Sequence, residues 1–133
     1  NVLVNILTDQ NGTITADRIN DVVLPTTTAA EVNYLAFDIK SIDYHIALYG
    51  DLQVLTSKSR IMEMDRYIEQ QPEYDPATHE KEDNSVFGHY KTLPTYIRNA
   101  IDHPDSGRNY SDADLEQSIE LLRAICKRLR NVP

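Results

Sequence analysis

The sequence predicts an all-α fold, a bundle of amphipathic helices in one domain. Two apolar stripes with the three- and four-residue spacing of an α-helix carry this prediction, one in the first half of the chain and one near its C-terminus. Strand-like alternation is scarce, and the short run VLVNIL at residues 2–7 fits a helix equally well. A chain of 133 residues is the size of one domain, so residues 1–133 are predicted to fold as a single unit. Because it begins at Asn1 rather than methionine, the chain is also compatible with a fragment of a longer protein.

The first stripe predicts one long helix from Thr28 to Tyr49. Its apolar positions step by three and four residues: Val32, Leu35, Ile39, Ile42, Ile46 and Tyr49. Gly50 follows directly, which favours a helix end there. A second helix is predicted over residues 56–70, with Ile61, Met64 and Ile68 facing inward and Pro72 close behind its end.

The middle of the chain is predicted to be an exposed loop followed by a new helix. Residues 72–85 are polar and acidic and contain two prolines, which is typical of a loop. Helical spacing then resumes at Val86, Tyr90, Leu93, Ile97 and Ile101. Pro94 is best placed in the first turn of that helix, and His103 should end it because the residue before Pro104 disfavours helical dihedrals.

The last helix has the clearest start signal. Ser111 and Asp114 have the spacing of a capping box, and another stripe follows at Leu115, Ile119, Leu122, Cys126 and Leu129. Cys126 is then best explained as a small buried hydrophobic residue, not a reactive thiol. Three or four such helices joined by short connections imply a helical bundle.

The net charge of -8 argues against broad, nonspecific attraction to nucleic acid. Four cations nevertheless gather near the C-terminus: Arg123, Lys127, Arg128 and Arg130. Favourable placement at a helix C-terminus explains them more simply than a track for phosphates. No apolar run is long enough to span a membrane and no signal-peptide pattern is present, so a soluble, cytoplasmic protein with no membrane partner is expected.

No cofactor or metal site is predicted. Residues 7–18 imitate a calcium loop, but Leu7 and Arg18 stand where the first and last ligands belong, and a plain Asn-Gly turn explains the segment better. A zinc site also lacks support, since Cys126 has no partner cysteine and the histidines lack ligand spacing: His45, His79, His89 and His103.

The stretch YIRNAIDHP, residues 96–104, places three chemically versatile side chains at a predicted helix end: Arg98, Asn99 and His103. On a helix Asn99 and His103 share a face, whereas Arg98 and His103 are offset by about 140 degrees. The simplest interpretation is structural. Arg98 would pair with Asp102 on the surface, and His103 would interact with the terminal carbonyls.

The same residues also suit metal-free RNA cleavage. That reaction needs a base for the 2'-hydroxyl, an acid for the leaving 5'-oxygen, and a fixed cation for the charge that develops on the phosphate. Histidine titrates near neutrality and arginine matches phosphate oxygens, but one chain offers only one histidine at this position. The chemistry therefore predicts a symmetric homodimer with the two motifs facing each other, in which Asn99 orients the histidine or binds phosphate.

RNAIDH, residues 98–103, resembles the Arg-polar-x-x-x-His signature of HEPN domains. The longer strings LPTYIRNAIDHP and YSDADLEQSIELLR, which together cover most of residues 93–123, are similar to the HEPN-like C-terminal segment of defence-associated AAA or ABC-type ATPases. The resemblance implies an up-and-down bundle of four to five helices, with Arg98, Asn99 and His103 as catalytic residues. It also implies a metal-independent endoribonuclease of a toxin or antiphage system, with single-stranded RNA or a tRNA loop as substrate. The alternative is a noncatalytic helical domain that binds RNA, a nucleotide or a protein, such as the tail of an ATPase.

Two departures from the HEPN pattern bear on partners and helpers. Toxins of this family that pair with a nucleotidyltransferase antitoxin often carry a tyrosine two residues after the histidine, whereas Pro104 and Asp105 follow here, which argues against that antitoxin. Some members use acidic residues on an earlier helix. Asp38, Asp43 and Glu63 are candidates, although a solvated helix face explains each of them more simply.

Overall fold

A computed structural model describes residues 21–26, 28–85 and 88–130. Within these ranges the chain is mostly helical, with six α-helices and one two-stranded antiparallel hairpin. The elements, in chain order, are α1 Ala29–Phe37, α2 Ile42–Thr56, α3 Ile61–Glu69, α4 Pro76–His79, β1 Glu80–Ser85, β2 Gly88–Thr92, α5 Leu93–Asp102 and α6 Asp112–Leu129. A 3-10 turn, Pro104–Ser106, lies between α5 and α6. The predicted all-α bundle of four to five helices is therefore right in being mostly helical, but the described residues form six helices and a hairpin that was not predicted.

The hairpin replaces a predicted loop and the beginning of a predicted helix. Residues 72–85 contain α4 and β1, and Tyr90 lies in β2, opposite Asp83 of β1. At the end of β2 the backbone N–H groups of Lys91 and Thr92 donate hydrogen bonds to the Asp65 carboxylate of α3. A contact that is distant in sequence therefore holds these residues in a strand. Helical spacing of apolar residues could not reveal that contact.

The predicted helix over residues 28–49 is in fact two helices. Asp38 adopts a left-handed conformation with φ 57° and ends α1, where its N–H donates to the carbonyls of Asn33 and Tyr34. Ser41 then starts α2 by accepting a hydrogen bond from the N–H of Tyr44. Gly50 does not stop this helix, which continues to Thr56.

The buried face of α2 also differs from the predicted stripe. Ile39, Ile42 and Ile46 are 44–50% exposed, so their helical spacing did not mark a core face. The other three positions of the predicted stripe, Val32, Leu35 and Tyr49, are buried as expected. In α2 the buried side chains are Tyr44, His45, Leu48, Tyr49 and Leu52. The apolar stripe had predicted one continuous helix, but the chain breaks at Asp38. Helix α2 therefore buries a face other than the one that the stripe predicts.

The helix predicted over residues 56–70 begins later than expected, because Thr56 ends α2 and α3 starts at Ile61, but its inward face and the boundaries of two further helices are confirmed. Met64 and Ile68 of α3 are fully buried. Helix α5 carries proline in its first turn and ends with His103 as its C-terminal cap. Helix α6 begins with the predicted capping box, in which the Ser111 hydroxyl accepts from the Asp114 N–H while the Asp114 carboxylate accepts from the Ser111 N–H.

The core forms where α6 packs against α2 and α5. Fully buried side chains from the three helices meet there, among them Leu48, Leu52, Ile97, Ile119, Leu122, Ile125 and Cys126. Burial raises the pKa of the Cys126 thiol to about 12, and its Sγ lies 3.9 Å from the Leu48 carbonyl oxygen. The prediction of a small buried hydrophobic residue at this position is confirmed.

The buried Glu31 carboxylate ties the start of the described chain to the bundle. Its Oε2 accepts hydrogen bonds from the N–H of Val23 at 3.0 Å and from the hydroxyl of Tyr44 at 2.8 Å. The guanidinium of Arg123 lies 3.7 Å from the same oxygen, and it donates to the Tyr44 hydroxyl and to the Asp21 carbonyl. Helices α1, α2 and α6 are thereby joined to residues 21–24.

The other C-terminal cations are also paired. Lys127 lies 2.9 Å from Asp21, Arg128 lies 2.6 Å from Glu73, and Arg130 forms an ion pair with Asp51. Each pair joins α6 to another part of the chain. These cations neutralise the protein's own carboxylates, which leaves little free charge for a phosphate track.

Some predictions concern residues outside the described ranges. These are the strand-like run at residues 2–7, the calcium-like loop at residues 7–18, and Val86. Among the described residues, no helix is both long enough and apolar enough to cross a membrane.

Replacing Arg123 by methionine should lower the free energy of unfolding by about 3–5 kcal/mol, because it leaves the Glu31 carboxylate buried without its cation. Arg128→Met is the matched control. The Arg128 side chain is 42% exposed, and losing its pair with Glu73 should cost less than about 1 kcal/mol. Urea unfolding measures both values, and equal losses would contradict a special role for the buried pair.

Acid should destabilise the fold through His45. This imidazole is fully buried, shares a 2.6 Å hydrogen bond with the Ser118 hydroxyl, and has its pKa lowered to about 3 by burial. Below its ordinary pKa of 6.5, only the unfolded chain protonates His45. As the pH falls below that value, the free energy of unfolding should drop by up to about 1.4 kcal/mol per pH unit.

The variant His45→Gln keeps a partner for Ser118 but cannot take up this proton, so its pH dependence should be weaker by about one proton. Ser118→Ala is the control, since it removes the hydrogen bond and keeps the imidazole. It should be less stable at every pH and retain the slope of the unaltered protein. Urea unfolding between pH 7.5 and pH 4.5 makes the comparison, and an unchanged slope in His45→Gln would rule out the explanation.

Candidate functional site

The three residues of the motif lie at the C-terminal end of α5 and differ in exposure. The Arg98 side chain is 31% exposed, Asn99 is buried, and His103 is exposed. The N–H of His103 donates to the Asn99 carbonyl at 3.0 Å, and the His103 carbonyl accepts from the Ser106 N–H at 3.0 Å. The chain therefore leaves the helix at His103 in a fixed direction, as the following proline predicts.

Arg98 is held by its own helix. Its Nη1 donates to the Asn99 side-chain oxygen at 3.0 Å, and its Nη2 lies 2.6 Å from the Asp102 carboxylate. The predicted surface pair between Arg98 and Asp102 is thus present. The two terminal nitrogens of this guanidinium each have an internal partner.

Asn99 connects the motif to residues that the sequence analysis did not single out. Its Nδ2 donates to Asp83 Oδ2 at 3.4 Å, and the same oxygen accepts from Arg108 Nε at 2.9 Å. Asp83 belongs to β1 and Arg108 to the loop before α6. No local pattern could have identified them, because they lie 16 and 25 residues from their respective partners in this network.

The hairpin is positioned for this contact by Asp65 of α3. This buried carboxylate accepts hydrogen bonds from the Lys91 N–H at 3.0 Å, the Thr92 N–H at 3.0 Å and the Thr92 hydroxyl at 2.7 Å. The Thr92 hydroxyl also lies 3.1 Å from the Thr95 hydroxyl, which is hydrogen-bonded to Tyr49 at 3.1 Å. The end of β2 and the first turn of α5 are therefore fixed together.

His103 differs from the other histidines in its contacts. His45 is buried against Ser118, the His79 Nδ1 accepts from the Asp75 N–H, and His89 is bonded to Asn84. Burial lowers the pKa of both His45 and His79. The His103 side chain is exposed, and its imidazole makes no hydrogen bond or ion pair to a described residue.

The three acidic candidates on earlier helices have structural surroundings. Asp38 ends α1 and lies 2.7 Å from Lys40, Asp43 is exposed in the first turn of α2, and Glu63 lies 3.9 Å from Arg60. The carboxylate that reaches Asn99 is Asp83 of the hairpin.

A search of the described part of the chain finds no group of three or more His, Cys, Asp or Glu side chains that could hold a metal ion. The structure thus defines a mostly helical domain with a cluster of polar and basic side chains at one helix end. Comparisons with protein-family models, with curated proteins and with solved structures find no match to this chain.

Replacing Asp65 by asparagine should release the hairpin from α3. An amide oxygen accepts more weakly than a carboxylate, and the amide N–H₂ would face the Thr92 donors, so we expect a loss of about 2–4 kcal/mol in the free energy of unfolding. Amide hydrogen exchange at Lys91 and Thr92 should accelerate. Glu69→Gln is the control, because the one ion pair that Glu69 makes to a described residue is with the exposed ammonium of Lys91. Unchanged exchange in Asp65→Asn would show that other contacts hold the strand.

Proposed function

We propose that this protein is a cytoplasmic, metal-independent endoribonuclease of the HEPN type, acting in a toxin or antiphage defence system. The observation that carries the proposal is the exposed imidazole of His103, free of partners among the described residues and one helical turn beyond the ordered pair Arg98 and Asn99. The other described histidines are buried or hydrogen-bonded within the fold. The RNAIDH resemblance adds the expectation of RNA as substrate.

In the proposed reaction, the neutral His103 imidazole of one protomer takes the proton of a ribose 2'-hydroxyl. The 2'-oxygen then bonds to phosphorus, and the bond from phosphorus to the 5'-oxygen breaks. The protonated imidazole of the second protomer gives its proton to the leaving 5'-oxygen. The products are a 2',3'-cyclic phosphate and a 5'-hydroxyl. Because each chain supplies one such imidazole, the proposal requires a homodimer in which the two helix ends meet.

Arg98 is proposed to stabilise the negative charge of the transition state. To do so, its Nη2 must exchange Asp102 for a phosphate oxygen. The exchange costs little, since an exposed pair four residues apart on a helix contributes only about 0.3–0.5 kcal/mol. Asn99 is bonded to both Arg98 and Asp83, so its proposed role is to orient the guanidinium.

A noncatalytic domain is the second candidate function. It would bind RNA, a nucleotide or a protein without cutting, for example as the tail of an ATPase. The observation that favours it is the internal pairing of Arg98, whose terminal nitrogens are both engaged within α5. A stable complex with RNA and no cleavage product would support this reading.

The endoribonuclease is tested by incubating a mixed-sequence RNA, or total tRNA, with the protein in EDTA. Arg98→Ala and His103→Ala should each reduce the cleavage rate by at least about 100-fold, because each removes a group that acts in the transition state. His89→Ala and Arg60→Ala are matched controls, an exposed histidine and an exposed arginine outside the motif, and they should cleave normally. The products should carry cyclic phosphate ends.

Two results would count against this proposal. Activity that persists in both Arg98→Ala and His103→Ala would assign catalysis to other residues. Light scattering that shows a monomer at concentrations where RNA is cleaved would exclude the two-protomer mechanism, since one motif cannot act as both acid and base.

A further inference from the structure

Arg108 is a second arginine near the motif, and it is held in a different way from Arg98. Its Nε donates to Asp83 Oδ2 at 2.9 Å, and its side chain is 17% exposed. Gly107, in a left-handed conformation with φ +81°, reverses the chain just before it, and the Arg108 N–H donates to the Ser106 hydroxyl at 3.4 Å. The guanidinium is therefore fixed from its Nε side.

The terminal nitrogens of Arg108 are free where those of Arg98 are not. Neither Nη of Arg108 donates to a described residue, whereas the two Nη atoms of Arg98 bond Asn99 and Asp102. A phosphate group is bound best by two parallel N–H groups of one planar guanidinium. Because both of its Nη groups lack a described partner, Arg108 is better placed than Arg98 to bind a phosphate in this way.

Two neighbours of Arg108 extend the surface on which it lies. Lys81, on the same strand as Asp83, places its ammonium 4.8 Å from the centre of the Tyr96 ring and has no ion pair with a described residue. The Tyr96 hydroxyl accepts a hydrogen bond from the N–H of Asn109, the residue after Arg108. We call these three side chains, Lys81, Tyr96 and Arg108, the hairpin surface.

The hairpin surface adjoins the motif. Tyr96 and Asn99 are three residues apart on α5, the spacing of side chains on one helix face, and His103, which caps the helix, follows four residues later. Asp83 bonds both Asn99 and Arg108, so a single carboxylate oxygen links the motif to the new surface. A cation beside an aromatic ring is also the arrangement that single-stranded nucleic acid uses, since phosphates and bases are then bound side by side.

We propose that the hairpin surface binds the backbone of single-stranded RNA next to His103, with Arg108 as its principal phosphate ligand and Asp83 as the residue that orients Arg108. The identity of the ligand as RNA rests on the proposed function. The phosphate-binding geometry of Arg108 rests on the contacts around Asp83 alone.

The test is equilibrium binding of a fluorescently labelled, single-stranded 2'-O-methyl RNA, which lacks the attacking hydroxyl and cannot be cleaved. Fluorescence anisotropy should show that Arg108→Gln and Lys81→Gln each weaken binding about fivefold to tenfold. The dependence on salt should also become shallower by about 0.7 per lost phosphate contact. Arg128→Gln is the matched control, since it removes an arginine whose Nε and Nη2 are already bonded, and its effect should stay below about twofold.

The variant Arg108→Lys controls for a folding defect. It keeps a cation beside Asp83 and loses only the bidentate hydrogen bonding of a guanidinium to a phosphate. It should bind RNA less well than the unaltered protein while melting at a similar temperature. A second measurement needs no variant. The Nε–H resonance of Arg108 in the unaltered protein should shift saturably when inorganic phosphate is added to a phosphate-free buffer.

The outcomes separate this proposal from the endoribonuclease. RNA cleavage with equal binding by the unaltered protein and Arg108→Gln would overturn the hairpin surface and leave the nuclease intact. A phosphate-dependent shift of Arg108 without RNA binding would support the phosphate site and remove RNA as its ligand. Absence of both the shift and the RNA complex would overturn the whole proposal.

Discussion

The buried carboxylate of Asp65 fixes the geometry on which the rest of the site depends. A buried charge is costly unless hydrogen bonds replace its water, and here the Lys91 N–H and two groups of Thr92 do so. Shifting β2 by one residue along α3 would leave both the carboxylate and the strand donors without partners. The hairpin therefore has one position, and only in that position does Asp83 of β1 reach Asn99.

Charge pairing explains how an acidic protein can present a local anion-binding surface. The cations at and near the end of α6 form ion pairs with carboxylates elsewhere in the fold. These pairs connect α6 to other segments, and they add little positive electrostatic potential at the protein surface. With respect to the described residues, Arg108 keeps N–H groups that its partner Asp83 does not use, and Lys81 contacts a ring but no carboxylate. The net charge of the protein therefore does not show whether a given cation, such as Arg108 or Lys81, has N–H groups free for an anion.

Sequence reasoning succeeded where local rules decide the structure. Pro94, His103 and the pair Ser111 and Asp114 act within a few residues of the helix ends that they determine. It failed where the decisive contact is distant: Asp65 and Lys91 are 26 positions apart in the sequence, and this separation hides the reason that a polar segment becomes a strand. The left-handed residue Asp38 is an intermediate case, because a continuous apolar stripe gave no sign that the helix ends there.

In the candidate site, too, the features that depend on nearby residues could be predicted from the sequence, and those that depend on distant residues could not. The sequence predicted Arg98, Asn99 and His103 as site residues from their side-chain chemistry near one helix end and from a motif resemblance, both of which lie within six residues of chain. Spacing could not say which guanidinium has N–H groups to offer, because that depends on partners contributed by other elements. Asp102 is four residues from Arg98 and is always within its reach on a helix, whereas Asp83 meets Arg108 only after the hairpin has formed. Arg98 is therefore the arginine whose N–H groups are most easily used by its own helix, whereas Arg108 is oriented by a contact that tertiary structure creates. A motif of this kind predicts where a site is centred, whereas the side chains with N–H groups free to bind a phosphate are determined by the fold around it.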